Sequence, residues 1–297
     1  MRGAFSVVPL ALLAAYFLSP PYLKYEILFA MIISISILGA STLLDAGLVN
    51  FGFGMYVAVG AYAAALAYKY AGVVDVGEML ALAALSGVVA GALIGLATAR
   101  FRGIFYALMN LAISMVIYGF LVKFYNITGG SDGISLYGLM LFGSPLRMEE
   151  LALLSGILLL AASAFRQFYL SSALGRLAVG MRENELKLQS LGVDTNRLVV
   201  MLSVIAGLWG GIGGAMLGFL VTHISPDLSF WAYSALLVVG AITAELISPS
   251  YGFIAGAIIF RGLNVAAFYV GSYDLAIGLG LLAVYISMEV LSRLGRA

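Results

Sequence analysis

The sequence predicts an all-α fold: a polytopic transmembrane bundle of about eight to ten spans, with one charged helix lying outside the bilayer. Three observations carry that expectation. Of 297 residues, 63% are hydrophobic and 10% are charged, whereas a water-soluble domain has about 25% charged residues. The chain divides into charge-free runs close to the roughly 20 residues a helix needs to cross a bilayer core. The charge that remains is bunched, since 7 of the 22 residues from Arg176 to Arg197 carry it.

Taken in order, the runs predict spans at 4–19, 26–44, 47–68, 79–99, 103–122, 150–165, 199–222, 230–247, 251–270 and 274–291. The first begins "MRGAFSVVPLALLAAYFLSPP", basic and then apolar in the manner of a signal peptide. No small-x-small cleavage site follows the apolar run, so it reads as a retained span. The 36 glycines suit membrane helices that approach closely. All of 1–297 reads as one transmembrane domain.

Lysine and arginine set the orientation. With both termini cytoplasmic, the inner side holds Arg2, Arg100, Arg102, Arg166, Arg176, Arg182, Lys187, Arg197, Arg293 and Arg296. The outer side holds Lys24, Lys69, Lys123 and Arg147. This places the charged loop, about 166–198, in the cytoplasm of a multi-pass protein of the cell membrane. Arg261 falls inside span 251–270, where a charge costs about 2.5–3.5 kcal/mol on insertion scales. Either it faces a polar interior, or the span is broken or re-entrant and the arginine reaches the inner surface. The echo of "AGALIGLATARFRGI" (90–104) in "AGAIIFRGL" (255–263) favours the second. Glu245 and Glu289, near predicted inner ends, read as snorkelling or paired with Arg261, Arg293 or Arg296.

Composition also excludes. A net charge of +1 and the lack of a basic face leave no footprint for nucleic acid. With no cysteine and one histidine, His223, there is neither a thiolate nucleophile nor a multi-histidine metal centre. No G-x-x-x-x-G-K-[ST], G-x-S-x-G or H-E-x-x-H occurs, so no cofactor is expected and this chain binds no ATP through a Walker A loop.

Three stretches hold the candidate residues. In "GMRENELKLQSLGVDTNR" (180–197), helix formers run to Gly192, a C-cap, and "VDTNR" reads as a turn or new N-cap. Leu177, Met181, Leu188 and Leu191 make an incomplete apolar edge, suited to docking in a cleft on a soluble partner. A plain solvated loop is the alternative. In "GLVNFGFGMY" (47–56), glycines around Asn50 can break a helix and expose a half-helix end to a solute. Close packing is the simpler explanation. In "ITGGSDGI" (127–134), Gly129, Gly130, Ser131 and Asp132 form either an anion-binding nest or a tight turn chosen for glycine geometry.

Together these stretches resemble a family, the permeases of ABC importers for branched-chain amino acids (LivH/LivM type, nearer LivM). "RENELKLQSLGV" looks like its cytoplasmic coupling loop. "GLVNFGFGMYVAVGAYAAAL" (47–66), "RFRGIFYALMNLAIS" (100–114), "ITGGSDGI" and "GLWGGIGGAMLG" (207–218) match other family segments in the right order. The family's Gly-Gly-x-Gly-Ser segment is replaced here by "VGAITAELISPSYG" (239–252), and Lys187 stands where small residues are usual. The resemblance implies a transporter subunit, not an enzyme. It implies ATP-binding cassette subunits, a second permease chain and an extracellular substrate-binding protein as partners. It places coupling at Arg182, Glu183, Glu185, Leu188 and Gly192, with Asn50, Gly52, Gly129, Gly130, Ser131 and Asp132 toward the substrate pathway. The substrates implied are branched-chain or other small amino acids, with urea or amides as relatives' cargo. The alternative reading is an ion-coupled carrier or channel acting alone.

Overall fold

The computed structural model describes residues 7–270, together with 275, 278 and 282. The fold is a membrane-embedded all-α bundle. Its helices are α1 Val7–Leu18, α2 Pro21–Leu44, α3 Gly54–Ala71, α4 Val76–Thr98, α5 Gly103–Lys123, α6 Tyr125–Thr128, α7 Met148–Ser171, α8 Ala173–Ser190, α9 Thr195–Val221, α10 Trp231–Ile247 and α11 Gly252–Val270. Among the described residues, α2, α4, α5, α7 and α9 are long and apolar enough to cross a membrane by length and composition. The predicted span 274–291 lies outside the described residues apart from 275, 278 and 282, and Arg2, Glu289, Arg293 and Arg296 lie outside them too.

Helices α2 and α9 form the centre. Every residue from Leu28 to Leu44 is buried. A helix apolar on all sides can do this only when other helices surround it. Against α9 lie α3 and α4, and glycine permits the approach. A Cβ on Gly60 would run into Gly211, one on Gly87 into Gly207, and one on Gly91 into Ser203, backbone in each case. The glycine-dense stretch 207–218 therefore stays helical and serves as a packing surface.

The stretch 47–68 corrects the expectation of one continuous span. Helix α2 ends at Leu44, turns at 45–47 and 51–53 flank irregular backbone at 48–50, and α3 begins only at Gly54. Gly47 takes φ +73 beside Arg182 of α8, and Gly52 sits against the backbone of Asn110 in α5. This irregular segment thus runs from the charged end of the bundle into its interior. Such backbone survives at membrane depth only when protein surrounds it.

A second correction concerns Arg261. Helix α11 is continuous through it, and its guanidinium pairs with Glu26 of α2: Nε meets Oε2, and Nη2 donates to Oε1 at 2.7 Å. The guanidinium also lies 4.5 Å from the ring centre of Phe29. A charge inside the bundle is tolerated because an opposite charge and an aromatic face meet it, so the span need not break. Glu245, for its part, pairs with Arg182 among the described residues.

At the end of the bundle opposite α8, short strands tie the loops together. β1 (Ile134–Ser135) pairs antiparallel with β4 (His223–Ile224), and β2 (Met140–Leu141) with β3 (Ser144–Pro145). His223 Nδ1 and Ser135 Oγ are 3.1 Å apart across the first pair.

Candidate functional site

Helix α8 is two helices. Its φ/ψ breaks at Asn184, and Asn184 Oδ1 accepts from Lys187 N at 2.9 Å, capping the second piece. The end at Gly192 is a Schellman motif: Val193 N donates to Leu188 O, Gly192 N to Gln189 O, and Gly192 takes φ +86. Asp194 then caps α9, its Oδ1 accepting from Asn196 N and Arg197 N. The signals at 192 and 194 thus fix both edges of the turn.

The predicted coupling residues divide by direction. Glu185 turns inward and binds Arg102, which leads into α5; Arg102 Nε donates to both carboxylate oxygens at 2.8 and 2.9 Å. Arg102 also reaches Thr195 and Asn196 of α9. Arg182, on the other side of the Asn184 break, donates to both oxygens of Glu245 in α10 at 3.0 Å. Leu188 is buried, as is Met181, so neither is part of an apolar edge open to a partner. The exposed residues of this stretch include Glu183, Leu186, Lys187 and Leu191, with Gly192 exposed at its end, and Arg182 is itself half exposed. Arg102 was not singled out in the sequence, although it stands within the quoted "RFRG", and Glu245 was expected to snorkel or to pair with other arginines.

Behind the Arg182–Glu245 pair lies a buried one. Asp45, at the end of α2, holds Arg166 of α7, with 5% and 2% of the two side chains exposed. Arg166 Nη2 donates to Asp45 Oδ1 at 2.9 Å, and Nε donates to Pro249 O at 2.8 Å. With Nη1 on Asp45 Oδ2, these bonds join α2, α7 and the α10–α11 turn. Stripping one partner from such a pair costs about 3–5 kcal/mol.

Farther into the bundle, the 45–53 segment meets a neutral polar cluster. Asn50 Oδ1 accepts from Gly52 N at 2.9 Å, and its Nδ2 donates to Asn110 Oδ1 at 3.2 Å. Asn110 Nδ2 in turn donates to Tyr106 O at 2.8 Å. Gly54 N, opening α3, donates to Ser234 Oγ at 3.0 Å. Beside these amides stand three fully buried hydroxyls, Tyr56, Tyr106 and Ser203, with no hydrogen-bond partner among the described residues. A buried hydroxyl left unpaired costs about 1–3 kcal/mol. Asn50 and Asn110 are each a lone amide in an apolar run, a signal visible in sequence. Nothing in the sequence marks Ser203.

The 127–134 element closes on itself. Gly129, Gly130 and Gly133 all take positive φ. Gly129 N donates to Tyr125 O, Asp132 N to Gly129 O and Gly133 N to Gly130 O, while Gly130 N meets Thr128 Oγ1. With these donors engaged internally, the glycines serve turn geometry. Ser131 and Asp132 remain exposed.

Comparison with known proteins adds the following. Residues 22–288 match a family model described as the permease component of branched-chain amino acid transport systems. The chain is similar to the high-affinity branched-chain amino acid transport system permease protein LivM of Salmonella typhimurium, 29% identical over 217 residues, covering 65% of this chain and 51% of that protein. The LivM protein of Escherichia coli matches with the same identity and coverage. The chain thus spans about half the length of the curated relatives it matches. No solved structure matches it.

Proposed function

This chain belongs to the family of branched-chain amino acid transport permease components, and from that premise we propose that it is the membrane-spanning permease subunit of an ATP-driven importer. The solutes are branched-chain or other small amino acids. The α8 end faces the cytoplasm, as do both termini, because Arg100, Arg102, Arg166, Arg176, Arg182, Lys187 and Arg197 gather there. A separate ATP-binding cassette subunit grips α8, a second permease chain completes the pathway, and a substrate-binding protein delivers solute at the opposite end.

One observation carries this reading: α8 is fastened to the bundle by an ion pair on each side of its break. Arg102–Glu185 links it to the α4–α5 turn and to the start of α9, and Arg182–Glu245 links it to α10. Each pair is bidentate or nearly so, which adds direction to charge attraction. A push on the exposed face, at Glu183, Leu186 and Leu191, is thereby passed to three membrane helices rather than absorbed by a loop. Helix α8 has a handle side and an anchor side.

Alternating access follows. When two ATPase subunits close on nucleotide, the two halves of α8 move, the anchors carry α5 and α10 with them, and the irregular 45–53 segment between α2 and α3 takes up the displacement. Gly47 against Arg182 puts that segment in direct contact with the anchor.

The test is isolation of this chain from its native membranes and reconstitution of what comes with it. A co-purifying P-loop ATPase and leucine uptake that requires ATP support the proposal. Uphill uptake by this polypeptide alone, on a sodium or proton gradient, sinks it in favour of an ion-coupled carrier. A Glu185→Arg variant that loses uptake but retains the ATPase, and regains uptake when joined to Arg102→Glu, locates the anchor.

A further inference from the structure

Helices α4 and α9 touch through glycine: a Cβ on Gly91 would meet the backbone of Ser203 and Val204, and one on Gly95 would meet the Cα of Val200. Toward the α8 end this contact gives way to a cavity of about 410 Å³. Its wall is apolar, built from Leu96 of α4 with Val200 and Met201 of α9, and Arg100, Asn196 and Arg197 line it as well. Arg100 is exposed, and its side chain makes no ion pair or hydrogen bond among the described residues. Arg197 Nε lies 3.0 Å from Asp194 Oδ2, with the two side chains 82% and 50% exposed. A pair this open contributes little and yields to a stronger anion. From Leu96 an apolar stripe runs along α4 through Leu93, Val89 and Leu85, each at least half exposed. From Leu85 to Leu96 the helix rises about 16 Å, about half of a bilayer core of roughly 30 Å, which is one leaflet.

From this geometry we propose that the cavity seats an anionic phospholipid of the cytoplasmic leaflet. The phosphate lies between Arg100 and Arg197, and an acyl chain follows Leu96 along the α4 stripe. Guanidinium N–H groups match phosphate oxygens in charge and in planar geometry. Basic pockets between membrane helices on the cytoplasmic side are where anionic headgroups bind. A soluble ATPase cannot fill the wall, since Leu96 and Met201 belong to helices that cross the membrane. A second copy meeting this face across a twofold axis would bring the same two cations, which repel. The seat adjoins the anchor of α8: Asn196 Oδ1 accepts from Arg102 Nη2 at 3.1 Å, and Arg102 holds Glu185. The lipid contacts are independent of the solute carried; only the choice of leaflet rests on the orientation proposed above.

Native mass spectrometry of the full chain, purified in detergent and given dioleoyl phosphatidylglycerol and dioleoyl phosphatidylcholine together, tests the seat. Wild type is expected to retain the anionic lipid roughly thirtyfold over the zwitterionic one, the combined effect of two arginines. R100Q and R197Q each lower that preference about fivefold, and the double variant abolishes it. Unfolding midpoints in phosphatidylcholine stay at the wild-type value, because both side chains are exposed. R176Q, which removes an exposed arginine of α8, leaves the preference unchanged. Leu96→Trp, which fills the wall and keeps both arginines, lowers retention of either lipid. A wild type without preference overturns the seat, and so does an equal loss in R176Q, which makes the attraction a diffuse field. Undiminished retention in Leu96→Trp overturns the acyl contact. A midpoint raised by inorganic phosphate as much as by phosphatidylglycerol makes the ligand a free anion and overturns the lipid. Because the chain has no cysteine, Glu183→Cys reports the orientation separately. No labelling of intact cells by an impermeant maleimide is expected; labelling from outside overturns the leaflet, whatever the retention measurements give.

Discussion

The α8 end of the bundle and the α2–α3 break treat polar groups in opposite ways. At the α8 end the inward charges are matched: Arg102 with Glu185, Arg182 with Glu245, Arg166 with Asp45. At the break, neutral hydroxyls are buried and unmatched. An unpaired ion inside a bundle is prohibitive, whereas an unpaired hydroxyl is affordable. The contrast assigns the regions different work. Paired charges hold helices in register, whereas an unpaired hydroxyl fixes no partner.

The largest effect that would break this contrast comes from Asp45 and Arg166. Ala at either position leaves a buried charge, and stability falls by about 3–5 kcal/mol, read as a lowered unfolding midpoint or lost expression. The pair Asp45→Leu with Arg166→Met recovers most of it. If Arg166→Ala is well tolerated, the α8 end is not held by charge.

Overfilling a helix contact ranks next. Gly60→Ala or Gly207→Ala drives a Cβ into the backbone of the facing helix, at about 1–3 kcal/mol. Unfolding of the detergent-purified chain measures it. The partly exposed anchor is weaker in stability than in mechanism. A double-mutant cycle on Arg102 and Glu185 gives a coupling of about 0.5–1 kcal/mol, with uptake falling far more than the midpoint. Equal losses would make the pair a mere staple.

Smallest in stability are the exposed residues. Glu183→Ala and Leu191→Ala shift the midpoint by no more than about 0.5 kcal/mol but weaken retention of the ATPase in a pull-down. Ala at Ser131 and Asp132 is equally mild for folding; a fall in uptake would put the outer turn on the solute's route, and unchanged uptake leaves it a turn.

Some of this was legible without coordinates. Among the described residues each of the nine predicted runs overlaps a helix, 47–68 only from Gly54 on, because the absence of charge over about 20 residues leaves a backbone in lipid no other way to satisfy itself. The capping chemistry at Gly192 and Asp194 was legible for a local reason, since caps act within a few residues. Partners distant in sequence were not: Glu26 and Arg261 lie 235 residues apart, and Arg102 and Glu185 lie 83 apart.

Two glycine-rich stretches mark the boundary between sequence and tertiary structure. "GLVNFGFG" and "GLWGGIGG" look alike in composition, and helix propensity treats them alike. Yet 207–214 is continuous helix and 47–53 is not. Composition determined that both would lie inside a membrane bundle and admit close neighbours. Only packing decided which would break: α3 and α4 press on the glycines of α9, whereas Asn50 accepts locally from Gly52 N and its Nδ2 donates to Asn110 of α5, which holds the open conformation in place. A local side-chain acceptor competes with the helix for a backbone donor, and whether it wins depends on a partner such as Asn110, which it meets only after the chain has folded.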